Sequence, residues 1–373
     1  MEVTNQELQD VIKTIAPLNQ EAMEKARSRQ QSLAKPPGSL GLLEDISIQM
    51  AGVTGKVNNH IEKTCVVVMC ADNGVVEENV SSAPQSVTLA QTINFTRRLT
   101  GVGALSESFG SELLIVDVGI NGSIPQNLYT ETPFSDTHKI VNRRIAKGTR
   151  NLARENAMTE EQTLRAVEIG LEMAAAVKEK GYDIFGIGEM GIGNTTTSAA
   201  VLSALTGESA AKTVGKGGGI VDSSFARKKE IVDEALSRCR GLSPLSVLSR
   251  VGGFDLAAMT GAFLGAAVSR LPVVIDGYIS AVAALTASRI APACVSYMFP
   301  SHSSYERGYR LAMEGLGLMP YLDLKMRLGE GSGCPLAFKI IEGACGVMNR
   351  MATFEEAEIN DDYLEEIRRG DCF

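Results

Sequence analysis

Cys65-Val66-Val67-Val68-Met69-Cys70, running into Ala71-Asp72-Asn73-Gly74, is the stretch that decides the fold. A short run that is apolar at every position lacks the alternation of a half-buried strand. Its valines suit a strand covered on both faces, so it reads as a buried parallel strand with a polar loop at its C-terminal end. The same pattern returns at residues 113–118, 183–188, 272–276 and 293–298, with helix-like sequence between. Strands alternating with helices predict an α/β fold, a parallel sheet flanked by helices in a Rossmann-like large domain. In such sheets ligands bind outside the carboxyl ends of the strands, where the unusual polar residues of this chain fall.

The two ends of the chain read differently. Amphipathic helical segments are expected at residues 6–15 and 21–33, with Lys35-Pro36-Pro37-Gly38-Ser39-Leu40 as a break between helices. Helical sequence returns from about residue 307, and the charged stretch 355–373 is polar and helical in character. The expected division is a small, mainly helical domain from 1–60 and 307–373 and a large α/β domain at 61–306.

Composition narrows the function. With 373 residues and 44% hydrophobic residues the chain can bury a large core. Its net charge of −8 argues against nucleic acid or an anionic membrane as partner, since both want a basic face. No apolar run approaches the roughly 20 residues of a membrane span; the longest, 256–268, is interrupted by Gly261 and Gly265. The N-terminus has no apolar signal core, and seven cysteines without a CxxC spacing suggest neither a disulfide framework nor a zinc site. A cytoplasmic protein acting on a small molecule is expected. Three scattered histidines suggest no metal centre.

Five motifs carry chemistry. Arg327-Leu328-Gly329-Glu330-Gly331-Ser332-Gly333 sets one carboxylate among three glycines, which admit positive φ and close approach of a ligand, so Glu330 is a candidate catalytic base; the alternative is an exposed turn with a solvated Glu. Gly186-Ile187-Gly188-Glu189-Met190-Gly191-Ile192-Gly193-Asn194-Thr195-Thr196-Thr197 follows a predicted strand and opens a helix at 198–205, as an anion site would, or as a tight turn with Thr195 as cap. It also satisfies GxGxxG. However, the sequence after it, 206–219, is Gly- and Lys-rich where a dinucleotide fold needs a second strand ending in an acid. Gly215-Lys216-Gly217-Gly218-Gly219 with Arg227-Lys228-Lys229 is a second place for a phosphate, or a flexible loop beside a solvated basic face. Asp276-Gly277 at a strand end reads as a ribose-hydroxyl acceptor or a helix cap, and Asp255 of Val251-Gly252-Gly253-Phe254-Asp255 is another acid beside glycine. His302 in Ser301-His302-Ser303-Ser304 reads as structural.

Together these motifs, with Lys35-Pro36-Pro37-Gly38-Ser39-Leu40-Gly41 and Ala71-Asp72-Asn73-Gly74-Val75, resemble the nicotinate-nucleotide:dimethylbenzimidazole phosphoribosyltransferases of cobamide lower-loop assembly, over most of the chain. The resemblance implies transfer of phosphoribose from nicotinate mononucleotide to an aromatic lower-ligand base, giving an α-riboside phosphate and nicotinate. It implies no cofactor or metal, and a homodimer, with a heterodimer of paralogues also known in such families. By motif, Glu330 looks like the general base and Glu189 like a second active-site acid that holds ribose or stabilises positive charge. Gly191, Asn194, Thr195, Thr196, Gly217 and Lys228, the last flanked by Arg227 and Lys229, look like the phosphate site. Asp276, Gly277 and Ser304 would lie near the ribose and nicotinate; Gln91, Leu328 and Ala83 would meet the lower ligand. Asn73 stands where the family often carries His, and Ala83 where it often carries Ser. A phenolic acceptor such as phenol or p-cresol therefore stays open beside dimethylbenzimidazole. From another class, a dinucleotide-dependent oxidoreductase built on the GxGxxG is the alternative, and a non-catalytic nucleotide-binding subunit is a third reading that Glu330 argues against.

Overall fold

The computed structural model describes residues 5–364, which divide into two compact units. The larger runs to Ala16 and resumes over Lys63–Ala337; the smaller takes Pro17–Glu62 and the chain from Phe338 onward. This differs from the division expected from sequence. The first helix, Asn5–Ile12, and all of 307–337, including the helix Tyr309–Leu316, belong with the larger unit. The helical expectation for 355–373 does not hold at its start, where 355–358 forms turns and 359–361 is irregular before a short 3-10 segment at Asp362–Leu364. Residues 365–373 lie outside the described residues.

The sheet of the larger unit comprises β1 (Thr64–Ala71), β2 (Glu112–Gly119), β3 (Tyr129–Thr130), β4 (Ile140–Asn142), β5 (Ile184–Met190), β6 (Val273–Ile275) and β7 (Met298–Pro300). Their order is β3-β4-β2-β1-β5-β6-β7 and every pairing is parallel. All residues of β1 and β5 are buried, as their largely apolar sequence requires, Glu189 of β5 included. β3 and β4 have no sequence signature because they are two and three residues long. The last strand lies later than expected: 292–297 is a 3-10 helix, and the strand pairs through Met298, Phe299 and Pro300.

From β1 the chain builds outward to β2, then returns through the helix Glu160–Glu179 to lay β5 on the opposite side of β1. That helix starts on a reciprocal cap: the Gln162 amide donates to Thr159 Oγ1 and the Thr159 amide to Gln162 Oε1, both at 3.0 Å. The reversal of direction makes the carboxyl ends of β1 and β5 the topological switch point, the place where such sheets bind ligands.

The run that looked longest and most apolar becomes the helix Phe254–Val268, buried from Phe254 through Ala267 and packed on β1, β2, β5 and the helix Glu160–Glu179. A helix apolar on all sides must be central. Among the described residues no helix is long and apolar enough to cross a membrane. Gly261 lets the two helices approach closely, since a Cβ there would lie 2.0 Å from the Val167 carbonyl oxygen. In the smaller unit, helices Gln20–Ser32 and Leu42–Thr54 share a cluster of Ala22, Ala26, Ala51 and Met348. The break between them is fixed by a buried ion pair, Lys35 Nζ to Glu44 Oε1 at 2.7 Å, with the Leu40 amide donating to the same oxygen.

Gly261→Ala forces a methyl into backbone rather than into a yielding side chain. It should destabilise the protein by about 1–3 kcal/mol or more, the usual cost of overpacking, read as a lower urea midpoint at unchanged m-value.

Candidate active site

Three consecutive residues at the mouth of the switch point have left-handed backbone: Gly329 (φ 84°), Glu330 (φ 62°) and Gly331 (φ 88°). For glycine this costs little, but for Glu330 it is strained and needs outside support. Support comes from buried carboxylates. Gly331 N donates to Asp276 Oδ2 at 3.0 Å, Gly333 N to Asp276 Oδ1 at 2.7 Å, and Glu330 N to Glu189 Oε1 at 3.4 Å. The Glu330 side chain turns to the start of the helix Gly101–Phe109, where the Val102 amide donates to Oε2 at 3.1 Å. Glu330 is thus buried, not the solvated acid of an exposed turn.

Gly186 and Gly188 lie within β5, not in a loop after it. The space a Cβ would fill at Gly188 is taken by the Glu330 carbonyl oxygen, 2.2 Å away. The GxGxxG therefore reflects strand packing against the Glu330 turn, and the dinucleotide reading fails on register. Asp276 is not the cap of the helix that follows it. Its two oxygens are engaged by the Glu330 turn, and Gly277 is the cap of the helix Tyr278–Ile290.

A second acid pair lies behind. Asn194 Nδ2 donates to Glu189 Oε2 at 2.5 Å and to Asp255 Oδ2 at 3.0 Å, so one amide serves two buried carboxyls. Burial pushes Glu189 from 4.5 up to about 8 and Asp255 from 3.8 up to about 6; for Glu189 the nearby Asp255 and Asp276 add to it. Burial also raises Glu330, held back by the Val102 and Gly101 amides. Asp276 is raised by burial as well.

Beside these acids the helix Asn194–Thr206 begins at the cavity wall. Gly193 (φ 95°) occupies the cap position, not Thr195. Thr195 Oγ1 accepts from Lys228 Nζ at 2.7 Å, and Gly217 (φ 58°) brings its backbone beside the same hydroxyl. Of the three adjacent cations, Arg227 pairs with Glu78 and Glu230, and Lys229 lies 3.9 Å over the Phe225 ring. Lys228 is the one turned inward; its burial lowers it from 10.5 to about 8, partly offset by Glu306. Thr196 is fully buried and does not reach the cavity wall.

The cavity between these groups has a volume of about 300 Å³, enough for a small molecule. Glu330, Glu189, Gly191, Asn194, Thr195 and Gly217 line it. Asp276, Gly277 and Ser304 form another part of the wall, and Ala83, Gln91 and Leu328 a third. Sequence reading misses the Gly101 and Val102 amides, whose only signal is the capping Thr100 before Gly101, and Glu306 on the wall; Lys216 and Arg327, also on the wall, stand within the quoted motifs without a role of their own. Asp255 was noticed only as an acid beside glycine. His302 is buried against Ser301, its Nδ1 3.1 Å from the hydroxyl. No cluster of three or more potential metal ligands occurs among the described residues.

A parallel sheet with an anion-ready helix end and a buried base at its switch point is an architecture for group transfer on a phosphorylated substrate. The chain belongs to the phosphoribosyltransferase family whose model matches residues 15–359. It is 52% identical over 368 residues to a nicotinate-nucleotide--dimethylbenzimidazole phosphoribosyltransferase of Clostridium perfringens (strain ATCC 13124), covering 98% of this chain and 99% of that one. A protein of the same name from Ruminiclostridium cellulolyticum is 47% identical over 94% of this chain and 97% of its own. The crystal structure of CobT from Thermus thermophilus superposes with a TM-score of 0.86 at 37% identity, over 91% of this chain and 99% of that one.

The buried acids set a pH dependence. Glu189 and Asp255 keep protons in the fold that the unfolded chain has lost, so the native state binds more protons between their ordinary range and about pH 8. Their stabilisation is complete below that window and is lost as pH rises through it. Exposed acids that are lowered, such as Asp10 and Asp222, act in the opposite sense but only at more acid pH, and Lys228 acts only above it. The ligand-free protein should therefore melt at lower temperature near pH 8 than near pH 5. A Tm that is flat or rising across this range in calorimetry would contradict the assignment.

Proposed function

We propose that the protein transfers the phosphoribosyl group of nicotinate mononucleotide to 5,6-dimethylbenzimidazole or a similar aromatic lower-ligand base, forming an α-riboside 5'-phosphate and nicotinate for cobamide assembly. The observation that carries this reading is Glu330, a buried carboxylate held by backbone amides on the wall of the same cavity as the anion-ready helix end.

Nicotinate leaves from a quaternary pyridinium, so its departure needs no acid. What the reaction needs is a base for the acceptor proton and a fixed anion site to orient the donor. Glu330 serves as the base, and its burial makes it a better one than a solvated carboxylate. The backbone of Gly191 and Gly217, the helix start at Asn194 and Thr195, and Lys228 behind Thr195 form the phosphate site. Thr196, buried off the cavity wall, contributes through its backbone. Gly277 and Ser304 face the nicotinate side, where Asp276 acts by holding the Glu330 turn. Attack from the face opposite the leaving group gives the α product.

Ala83, Gln91 and Leu328 form the acceptor wall. The small Ala83 leaves no hydroxyl to favour the benzimidazole nitrogen, which keeps a phenol in view as acceptor. The reading includes a homodimer in the cytoplasm. The described cysteines, Cys65, Cys70, Cys239, Cys294, Cys334 and Cys345, are unpaired and buried, in keeping with a reducing compartment.

Purified protein given nicotinate mononucleotide with dimethylbenzimidazole, or with p-cresol, should release nicotinate in step with the riboside phosphate; absence of release with every acceptor would sink the proposal. Glu330→Gln should lower kcat by roughly 10²–10⁴-fold, the usual loss on removing a general base, and a variant with unchanged turnover would rule the role out.

A further inference from the structure

We propose that Asp255 is a positioning residue of this site: through the Asn194 amide that it shares with Glu189, it obliges the Glu189 carboxyl to keep its proton, so that the cavity presents one ionised base, Glu330, beside one neutral acid. The inference deepens the phosphoribosyl-transfer reading and rests on it only for what the Glu189 proton meets.

The geometry leaves little choice. Asp255 is fully buried and Glu189 nearly so, and between them stands one Asn194 nitrogen, whose two hydrogens serve both acids. Two negative charges joined by a single neutral donor in a desolvated site repel with no cation between them, and such pairs retain a proton. The other groups that act on Glu189 do not relieve this. Asp276, beyond β6, is an acid, and Cys70 on β1 is a buried thiol with no charge to offer. The Glu330 loop contributes one long amide contact at 3.4 Å.

Which acid keeps the proton follows from their remaining donors. Asp255 lies in the first turn of the helix Phe254–Val268 and accepts the Leu256 amide at 2.9 Å, with the Asn73 side chain close by. A carboxylate at a helix N-terminus is stabilised as the anion. Among the described residues Glu189 has only Asn194 and the long contact to Glu330 N. The negative charge therefore settles on Asp255, away from the cavity, and the proton on Glu189, which is on the cavity wall.

This changes what Glu189 does. A neutral carboxyl donates a hydrogen bond, so it recognises an acceptor oxygen such as a ribose hydroxyl of the donor nucleotide. It also leaves Glu330 without a like charge at its own backbone. Asp255 touches none of this directly. Its carboxyl lies against Gly191, where a Cβ would come within 2.5 Å of Oδ2.

Infrared difference spectra between the wild-type protein and Glu189→Gln read the proton without any turnover. At neutral pH the wild type should show the carbonyl stretch of a neutral carboxyl that the variant lacks. Asp255→Asn should move its titration down by about one pH unit or more, the scale of a close like-charge interaction. If Asp255→Asn does not fold, Asn194→Ala removes the shared donor and should move the titration up. No neutral-carboxyl band belonging to Glu189, or a titration that these variants leave in place, overturns the proposal. Nicotinate release measured on the same preparations separates the two readings. A band without transfer to any acceptor rejects the reaction and keeps the proton on Glu189, whereas transfer without the band rejects Asp255's role and keeps the reaction.

Discussion

Two hydrogen bonds from Gly331 and Gly333 to the buried carboxylate of Asp276 hold the left-handed turn on which the site is built. A glutamate with positive φ does not stay there unaided, and the strain of order 1–3 kcal/mol such a residue carries has to be offset by its surroundings. Asp276 comes from the end of β6 and Glu189 from β5, so two neighbouring strands fix the base through its backbone while its side chain is held from the start of the helix Gly101–Phe109. The carboxylate is thereby positioned by regular elements on three sides, although it sits on a loop.

The same arrangement explains why so many acids gather in one place without disrupting it. The donors are divided among them: Asp276 takes the turn amides, Glu330 the helix-start amides and Asp255 the Leu256 amide, while Asn194 is shared between Asp255 and Glu189. The cationic side is equally divided. Lys228 is directed at Thr195 by its own burial, while its neighbours are drawn off by Glu78, Glu230 and an aromatic ring.

The long central strands were legible because a run such as Val66-Val67-Val68 has one reading in a chain of alternating elements. The two-residue β3 and three-residue β4 carry no period to detect, and the last strand was set about five residues early because Pro292 begins a 3-10 turn within an apolar stretch. Glu330 was legible from its glycines, since only backbone in an unusual conformation needs them on both sides. The partners of that turn were not. Asp276 is distant in sequence from the turn amides it accepts, and a local reading assigns it to the nearest ligand or helix end; Asp255 is likewise distant from the Asn194 amide that it shares with Glu189. GxGxxG misled for the same reason: Gly188 is a glycine because of Glu330, far along the chain.

The lengths of the outer strands have a consequence for the life of the protein in a crowded solution. β3 offers two residues at one margin of the sheet and β7 three at the other, the last of them Pro300, which has no amide hydrogen to give. A sheet whose interior strands run to eight residues but whose margins are this short presents almost no ladder for a stray strand to extend. The fold thus keeps its most β-prone segments in the middle and limits self-association through its edges, independently of anything that happens in the cavity.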